Sequence, residues 1–362
     1  MKNKISEILT VVLFCGFLGI MLLCYLLMPK KDFSETEKRH LAEPPKVTWS
    51  RVSSGQWGDD AETYMADHIP GRNFFVGLNA YFELFTGRQA GKDIWVSGDR
   101  LVEAPVSLNE DIIRKNTSAI NSLAAKLQQP VNLMIVPSAG WALGMEEYQD
   151  AAIIDAIYAL VGEPVHTLDM VSLFANRPDL YFKTDHHWNS AGAYAAYEAC
   201  MAALGRDSVG AENFTKENYG LFQGSTYSRS ALWLTPGEEL ELWTSNTPLT
   251  VTNGESQEVH QGVFYWERLD EADKYTVFLD GNHSIVRIQN PNAEGKLLVI
   301  RDSYSNSLGC FLAESYGEVV LLDLRYYKQA VSTLVAQEGF DDILVCYSIG
   351  NFLTDTNLIL LR

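Results

Sequence analysis

Lys296-Leu297-Leu298-Val299-Ile300-Arg301-Asp302-Ser303-Tyr304-Ser305-Asn306-Ser307 runs from an unbroken apolar stretch straight into Asp-Ser and then into a helix start. Such a run is how a strand buried on both faces reads. Outward from it the same grammar repeats. Residues 305–315 and 326–338 read as helices, and 319–322 and 343–346 as strands. Upstream, 110–128 is an amphipathic helix, Val131–Val136 is an apolar strand ended by Pro137, and 146–161 is helical. Residues 165–168 make another strand and 189–204 an Ala-rich helix. Alternating βα units imply an α/β domain with a mostly parallel sheet and helices on both faces. Ligands bind such sheets at the carboxyl ends of the strands. Ser303 would sit there, with its own N–H near a helix N-terminus, which suits a nucleophile whose acyl intermediate needs oxyanion donors. The competing reading is that Ser303 or Ser305 only caps the helix.

The rest of the chain frames that domain. Its 362 residues are 47% hydrophobic and 20% charged, which excludes disorder. With 28 Lys+Arg against 46 Asp+Glu the net charge is −18, and residues 32–362 alone carry −21. So acidic a domain does not bind nucleic acid through its general field. From Ile8 to Met28 there are 21 residues without a formal charge, long enough as a helix to cross a bilayer and longer than the apolar core of a cleavable signal. Residues 1–31 therefore read as an uncleaved signal anchor, with the amino terminus inside and residues 32–362 outside. A polar linker, 32–48, ends in Glu43-Pro44-Pro45-Lys46. Residues 55–90 are helical and broken at Ile69-Pro70-Gly71, and 93–102 make two short strands around Ser97-Gly98-Asp99. The domain proper is 49–362, with a β-rich insertion at about 214–288 where Thr, Gly, Asn and aromatics gather. Cys200, Cys310 and Cys346 have neither zinc nor disulfide spacing and read as buried free thiols.

The most informative stretch is Tyr181-Phe182-Lys183-Thr184-Asp185-His186-His187-Trp188-Asn189-Ser190-Ala191-Gly192. It lies just before a helix that Asn189 or Ser190 would cap. In an extended segment positions i and i+2 share a face, so Asp185 and His187 would point together and His186 the other way. A carboxylate beside an imidazole fixes a basic tautomer and stabilises the imidazolium. A metal site on Asp185, His186 and His187 is the weaker alternative, because adjacent histidines rarely chelate one ion and no second ligand cluster accompanies them. No metal is expected. Asp67-His68 is a second acid–imidazole pair without a serine block, and reads as structural. Trp141, Trp188, Tyr227 and Tyr304 would suit a carbohydrate platform, since sugars stack on aromatic faces; core packing is the ordinary reading of each. The sequence has neither a P-loop nor a Rossmann fingerprint.

Thr184-Asp185-His186-His187-Trp188 followed by Gly192-Ala193-Tyr194 resembles the motif that names the DHHW family of bacterial surface proteins. These are relatives of the alginate O-acetyltransferase, SGNH-hydrolase-like group. Other segments resemble family elements in the same order: Glu37-Lys38-Arg39-His40-Leu41-Ala42, Asp67-His68-Ile69-Pro70-Gly71-Arg72, Val136-Pro137-Ser138, 275–283 and Arg301-Asp302-Ser303-Tyr304. The resemblance implies an SGNH-hydrolase-like (flavodoxin-like) fold and a Ser-His-Asp triad of Ser303, His187 and Asp185. Asn282 would supply a side-chain oxyanion donor, beside the Ser303 N–H. Ser138, Trp188, Tyr304 and Arg301, which stands where SGNH esterases carry Gly, complete the candidate oxyanion and substrate residues. The implied activity is O-acetylation of a cell-surface polysaccharide through an acyl-serine. A membrane-bound O-acyltransferase would hand over the acyl group, so no soluble cofactor is needed, and a Gram-positive surface is the expected setting. A carbohydrate O-acetylesterase and a non-catalytic glycan-binding or assembly protein are the rivals.

Overall fold

Apolar runs, buried on both faces in the inner strands, build a central sheet of eight strands. In chain order these are β1 (Val131–Val136), β2 (Val165–Leu168), β3 (Thr250–Asn253), β4 (His260–Gln261), β5 (Ile285–Gln289), β6 (Lys296–Arg301), β7 (Glu318–Leu322) and β8 (Asp342–Ser348). The computed structural model describes residues 2–34, 36–89, 93–254, 256 and 258–361. Spatially the strands run β4-β3-β5-β7-β6-β8-β1-β2. The pairs from β7 to β2 are parallel, and β5, β3 and β4 extend the sheet antiparallel at one edge.

Alternate strand residues feed two separate cores. Met134, Val136, Leu297, Val299, Leu344 and Cys346 join one cluster, against the helices Ser190–Ala203 and Ser305–Ser315. Leu133, Ile135, Leu298, Ile300, Ile343 and Val345 join the other, against Glu110–Leu127, Asp150–Tyr158 and Val331–Glu338. Helices thus cover both faces, as an α/β sheet requires. The fold is the mostly parallel α/β arrangement with helices on both faces that the sequence pattern implies.

Two helices are shorter than their patterns suggest. The expected helix at 146–161 spans only Asp150–Tyr158, because Tyr148 is pinned in the core, its hydroxyl 2.5 Å from the Glu103 carbonyl. The one expected at 326–338 starts at Val331, because the Asp323 carboxylate captures the Arg325 N–H at 3.0 Å and holds the chain in a turn. The β-rich stretch is not set apart from the sheet: β3, β4 and β5 are its antiparallel edge, while Thr215–Phe222 and Glu238–Thr244 form a separate hairpin.

The chain divides into two compact units, Met1–Lys92 with Ser228–Leu234, and Asp93–Tyr227 with Thr235–Arg362. The first contains the helix Lys2–Leu27, whose segment Lys4–Leu27 has a mean hydropathy of 2.6 and is long and apolar enough to cross a membrane. Gln56–Asp67 and Arg72–Phe85 follow, broken at Ile69-Pro70-Gly71; residue 90, the expected end of this helical region, lies outside the described residues. Here the two segments with family-like motifs meet. Asp67 accepts from both Arg39 guanidinium nitrogens at 2.9 and 2.5 Å and from the Ala42 N–H, while Glu37 pairs with Arg39 and Arg72 at 2.5 Å each. The Arg39 bonds hold the Asp67 carboxyl down at about 2, and His68 bonds only backbone carbonyls of Tyr64 and Lys31. Asp67-His68 is structural.

Candidate active site

β6 ends at Arg301 with β7 on one side and β8 on the other, so chain order reverses about this strand and a crevice opens beyond its carboxyl end. Asp302 ties that corner together. Its carboxylate accepts from the Tyr304 N–H at 3.0 Å and from the Ser348 N–H, Ser348 hydroxyl and Asn351 amide at 2.8 Å each. With four donors on it, Asp302 is a strut between the ends of β6 and β8. Ser303 follows, 9% exposed. The helix Ser305–Ser315 begins after Tyr304 without a side-chain cap, so neither Ser303 nor Ser305 performs the capping role.

The second half of the site comes from the loop before Ser190–Ala203. Asn189 caps that helix, accepting from the Gly192 N–H at 3.0 Å. Tyr181 and Trp188 pair as an antiparallel bridge, and the Phe182 N–H donates to the His187 carbonyl at 3.2 Å, so 182–187 is a closed loop. Glu238 clamps its tip: its carboxylate accepts from the Lys183 and Thr184 N–H groups and the Thr184 hydroxyl at 2.7–2.8 Å.

This loop delivers Asp185 and His187 to Ser303. The Ser303 hydroxyl donates to His187 Nε2 at 2.8 Å, and His187 Nδ1 donates to Asp185 Oδ1 at 2.5 Å. An ionised carboxylate only accepts, which fixes the proton on Nδ1 and leaves Nε2 basic. The Ser225 N–H donates to the second Asp185 oxygen at 2.6 Å, and Tyr275 stacks flat on the His187 ring, 3.9 Å between centroids at 7°. Asp185 and His187 are 2% and 4% exposed. Burial raises the Asp185 carboxyl, but the neighbouring imidazoles and the hydrogen bonds from His187 and Ser225 outweigh it and hold it well below the usual range. Burial, aided by His186, pulls the His187 imidazole below its ordinary value against the attraction of Asp185.

His186 does not point away. Because the loop is closed rather than extended, its ring lies 3.9 Å from that of His187 and its Nδ1 shares a 2.6 Å hydrogen bond with the Ser225 hydroxyl. One ligand atom each from Asp185, His186 and His187 lies within 4.8 Å of the others, although both ring nitrogens of His187 already hold Asp185 and Ser303.

The remaining sequence candidates divide. Trp188, 0% exposed, offers no face to a substrate; its indole N–H donates to the Tyr304 carbonyl and Ser307 hydroxyl from behind the serine. Tyr304 is buried too, its hydroxyl donating to the His186 carbonyl. Arg301 is fully buried and cannot touch substrate. Its guanidinium donates to the side-chain oxygens of Asn306 and, at 3.2 Å, Asn282. Asn306 donates to that same Asn282 oxygen at 3.2 Å. Asn282 is exposed and follows Leu279, Asp280 and Gly281, all left-handed at φ 57, 63 and 79. Ser138 caps the short helix Ala139–Ala142 and, with Tyr304, His186, Ser348 and Asn351, lines a cavity of about 90 Å³ at the ends of β1 and β8.

Ser225, Glu238, Tyr275 and Gly224 carry no sequence signal for this role. A Cβ on Gly224 would stand 2.2 Å from the Asp185 Cβ and 2.4 Å from its Oδ2. Gly224→Ala is therefore expected to displace Asp185 and lower activity about a hundredfold, as sub-ångström to ångström misplacements in an active site do. The same overpacking should lower the melting temperature by a few degrees, much less than a global loss of fold; kinetics and thermal melts on the same sample check both.

The DHHW family model matches residues 154–322, a span that takes in Asp185, His187, Asn282 and Ser303. The structure of a DHHW family protein from Eubacterium siraeum superposes with a TM-score of 0.64 at 20% identity, covering 75% of this chain and 97% of that one. Bacillus cereus PatB1 with a sulfonyl adduct gives 0.63 at 23% identity, covering 74% and 97%. No curated protein matches the chain. The match to the DHHW family model agrees with the resemblance of the motifs, and the fold shared with these structures covers about three quarters of the chain.

Proposed function

We propose that this chain is a membrane-anchored serine acyltransferase that O-acetylates a polysaccharide outside the cytoplasmic membrane, with Ser303, His187 and Asp185 as its triad. The observation that carries the reading is the continuous Ser303–His187–Asp185 hydrogen-bond relay, at 2.8 and 2.5 Å, at the strand ends. In this scheme Ser303 Oγ attacks the acyl carbonyl carbon while His187 Nε2 takes its proton. Collapse of the tetrahedral intermediate breaks the bond to the donor oxygen, which leaves with that proton, and acetyl-Ser303 remains. A sugar hydroxyl then gives its proton to His187 and attacks, and Ser303 departs reprotonated.

The Ser303 N–H, which has no acceptor among the described residues, serves as one oxyanion donor. Asn282 serves as the other. Arg301 and Asn306 both donate to its side-chain oxygen, which turns the amide NH₂ outward. The left-handed run before it, including a buried Leu279, is the kind of backbone cost that persists at functional sites. Arg301 is in this reading a positioning residue.

The N-terminal helix anchors the domain at the surface of a Gram-positive cell, and a membrane-bound O-acyltransferase supplies the acetyl group, so no soluble cofactor takes part. An esterase would share every step up to acetyl-Ser303 and differ only in accepting water. The test uses the full chain in detergent with p-nitrophenyl acetate. Intact-mass and peptide spectra should place one acetyl on Ser303, and phenylmethylsulfonyl fluoride, chosen because PatB1 was obtained with a sulfonyl adduct, should block it. Candidate glycans should then take the acetyl faster than water does. An unmodified Ser303 under turnover would overturn the reading, and transfer to water alone would make the chain an esterase.

A further inference from the structure

The helix Arg72–Phe85 is amphipathic, with Arg72, Asn79 and Glu83 along one narrow stripe and apolar residues over most of the remaining surface. Only one side of it is covered. Gly77 and Ala80 are buried, and Gly77 is packed so closely by Trp233 that a Cβ there would fall 1.8 Å from the indole. The other side carries Phe74, Phe75, Leu78, Phe82 and Phe85, exposed by 56, 42, 51, 63 and 90%. At about 100° per residue these five side chains fall within one arc of about 100°. A contiguous stripe of four phenylalanines and a leucine marks an interaction surface.

What lies next to the stripe identifies its partner. Phe74 and Ile69 line one cavity of about 300 Å³ together with Met28 and Pro29, which directly follow the helix Lys2–Leu27. The stripe therefore begins at the end of the apolar span. Lys30 and Lys31 line the same cavity, placing cations where a bilayer carries its anionic headgroups. Aromatic side chains are enriched at that depth. We infer that Arg72–Phe85 lies in the membrane–water interface, its Phe74–Phe85 stripe seated among lipid acyl chains beside the anchor. This rests on reading Lys2–Leu27 as a membrane span.

The test places one fluorescent label at a time on the full chain in phosphatidylcholine–phosphatidylglycerol vesicles containing doxyl lipid. The natural Cys15, with Cys24→Ser, reports the span. Phe82→Cys and Ser122→Cys, each with Cys15→Ser and Cys24→Ser, report the stripe and an exposed water-facing control; Cys200, Cys310 and Cys346 are buried and do not label. The expected result is doxyl quenching and blue-shifted emission at 82, both weaker than at 15 because the interface is shallower than mid-span, with neither at 122. Quenching at 15 with 82 behaving like 122 overturns the interfacial helix and leaves the anchor standing. A blue shift at 82 without doxyl quenching overturns it in favour of a second copy or another protein on the stripe. Water-like behaviour at all three sites removes the anchor reading and the inference with it.

Discussion

Ser303→Ala is expected to lower turnover of an activated acetyl ester at least about a thousandfold, with melting temperature and far-UV circular dichroism unchanged. The size follows from what the hydroxyl touches. Its partner is His187 Nε2, so its removal takes away both the nucleophile and the group the imidazole deprotonates, while nothing in the packing depends on it. The backbone is held by Asp302 and by the Asn306 N–H, which donates to the Ser303 carbonyl at 3.1 Å, and none of these bonds involves Oγ. Ser305→Ala is the matched control: it sits in the same turn, and a capping role for the serines would make the two variants equivalent. Equal rates for both, measured at saturating ester with the acetyl adduct followed by mass, would remove Ser303 from the chemistry.

The strands that position this serine were legible because burial on both faces leaves an unbroken apolar run. Leu133–Val136 and Leu297–Ile300 announce themselves in that way, and the Asp302-Ser303 corner follows from where the second run stops. Short edge strands such as His260–Gln261 carry too few residues to show a period, so their place in the sheet was not legible. The site divides along the same line. Asp185 and His187 declare themselves as a local pair, but Ser303 lies 116 residues from His187, and family-like motifs rather than periodicity linked them. Tyr275, Ser225 and Glu238 come from separate segments that tertiary packing alone brings to the loop carrying Asp185 and His187. An extended segment would send His186 away from His187, but the Tyr181–Trp188 bridge closes it into a tight loop that local sequence does not announce.

Asp185→Asn should cost about ten-thousandfold in kcat, more than the loss of one hydrogen bond explains. The carboxylate can only accept, so it forces the His187 proton onto Nδ1; an amide can donate instead and stabilise the tautomer whose Nε2 carries the proton, which cannot receive one from Ser303. The same imidazole sets the pH dependence. Burial and then His186 pull its pKa below the ordinary value of about 6.5, so the neutral base persists as pH falls and kcat/KM should hold below that pH before declining. His186 disfavours the charged form of His187 electrostatically, the two ring centroids being 3.9 Å apart. His186→Asn removes that effect, raises the His187 pKa and should move the acid limb of the profile to higher pH. A limb that stays in place in the variant would mean burial alone sets it, and a limb that moves to lower pH would contradict the placement of His186 beside the base.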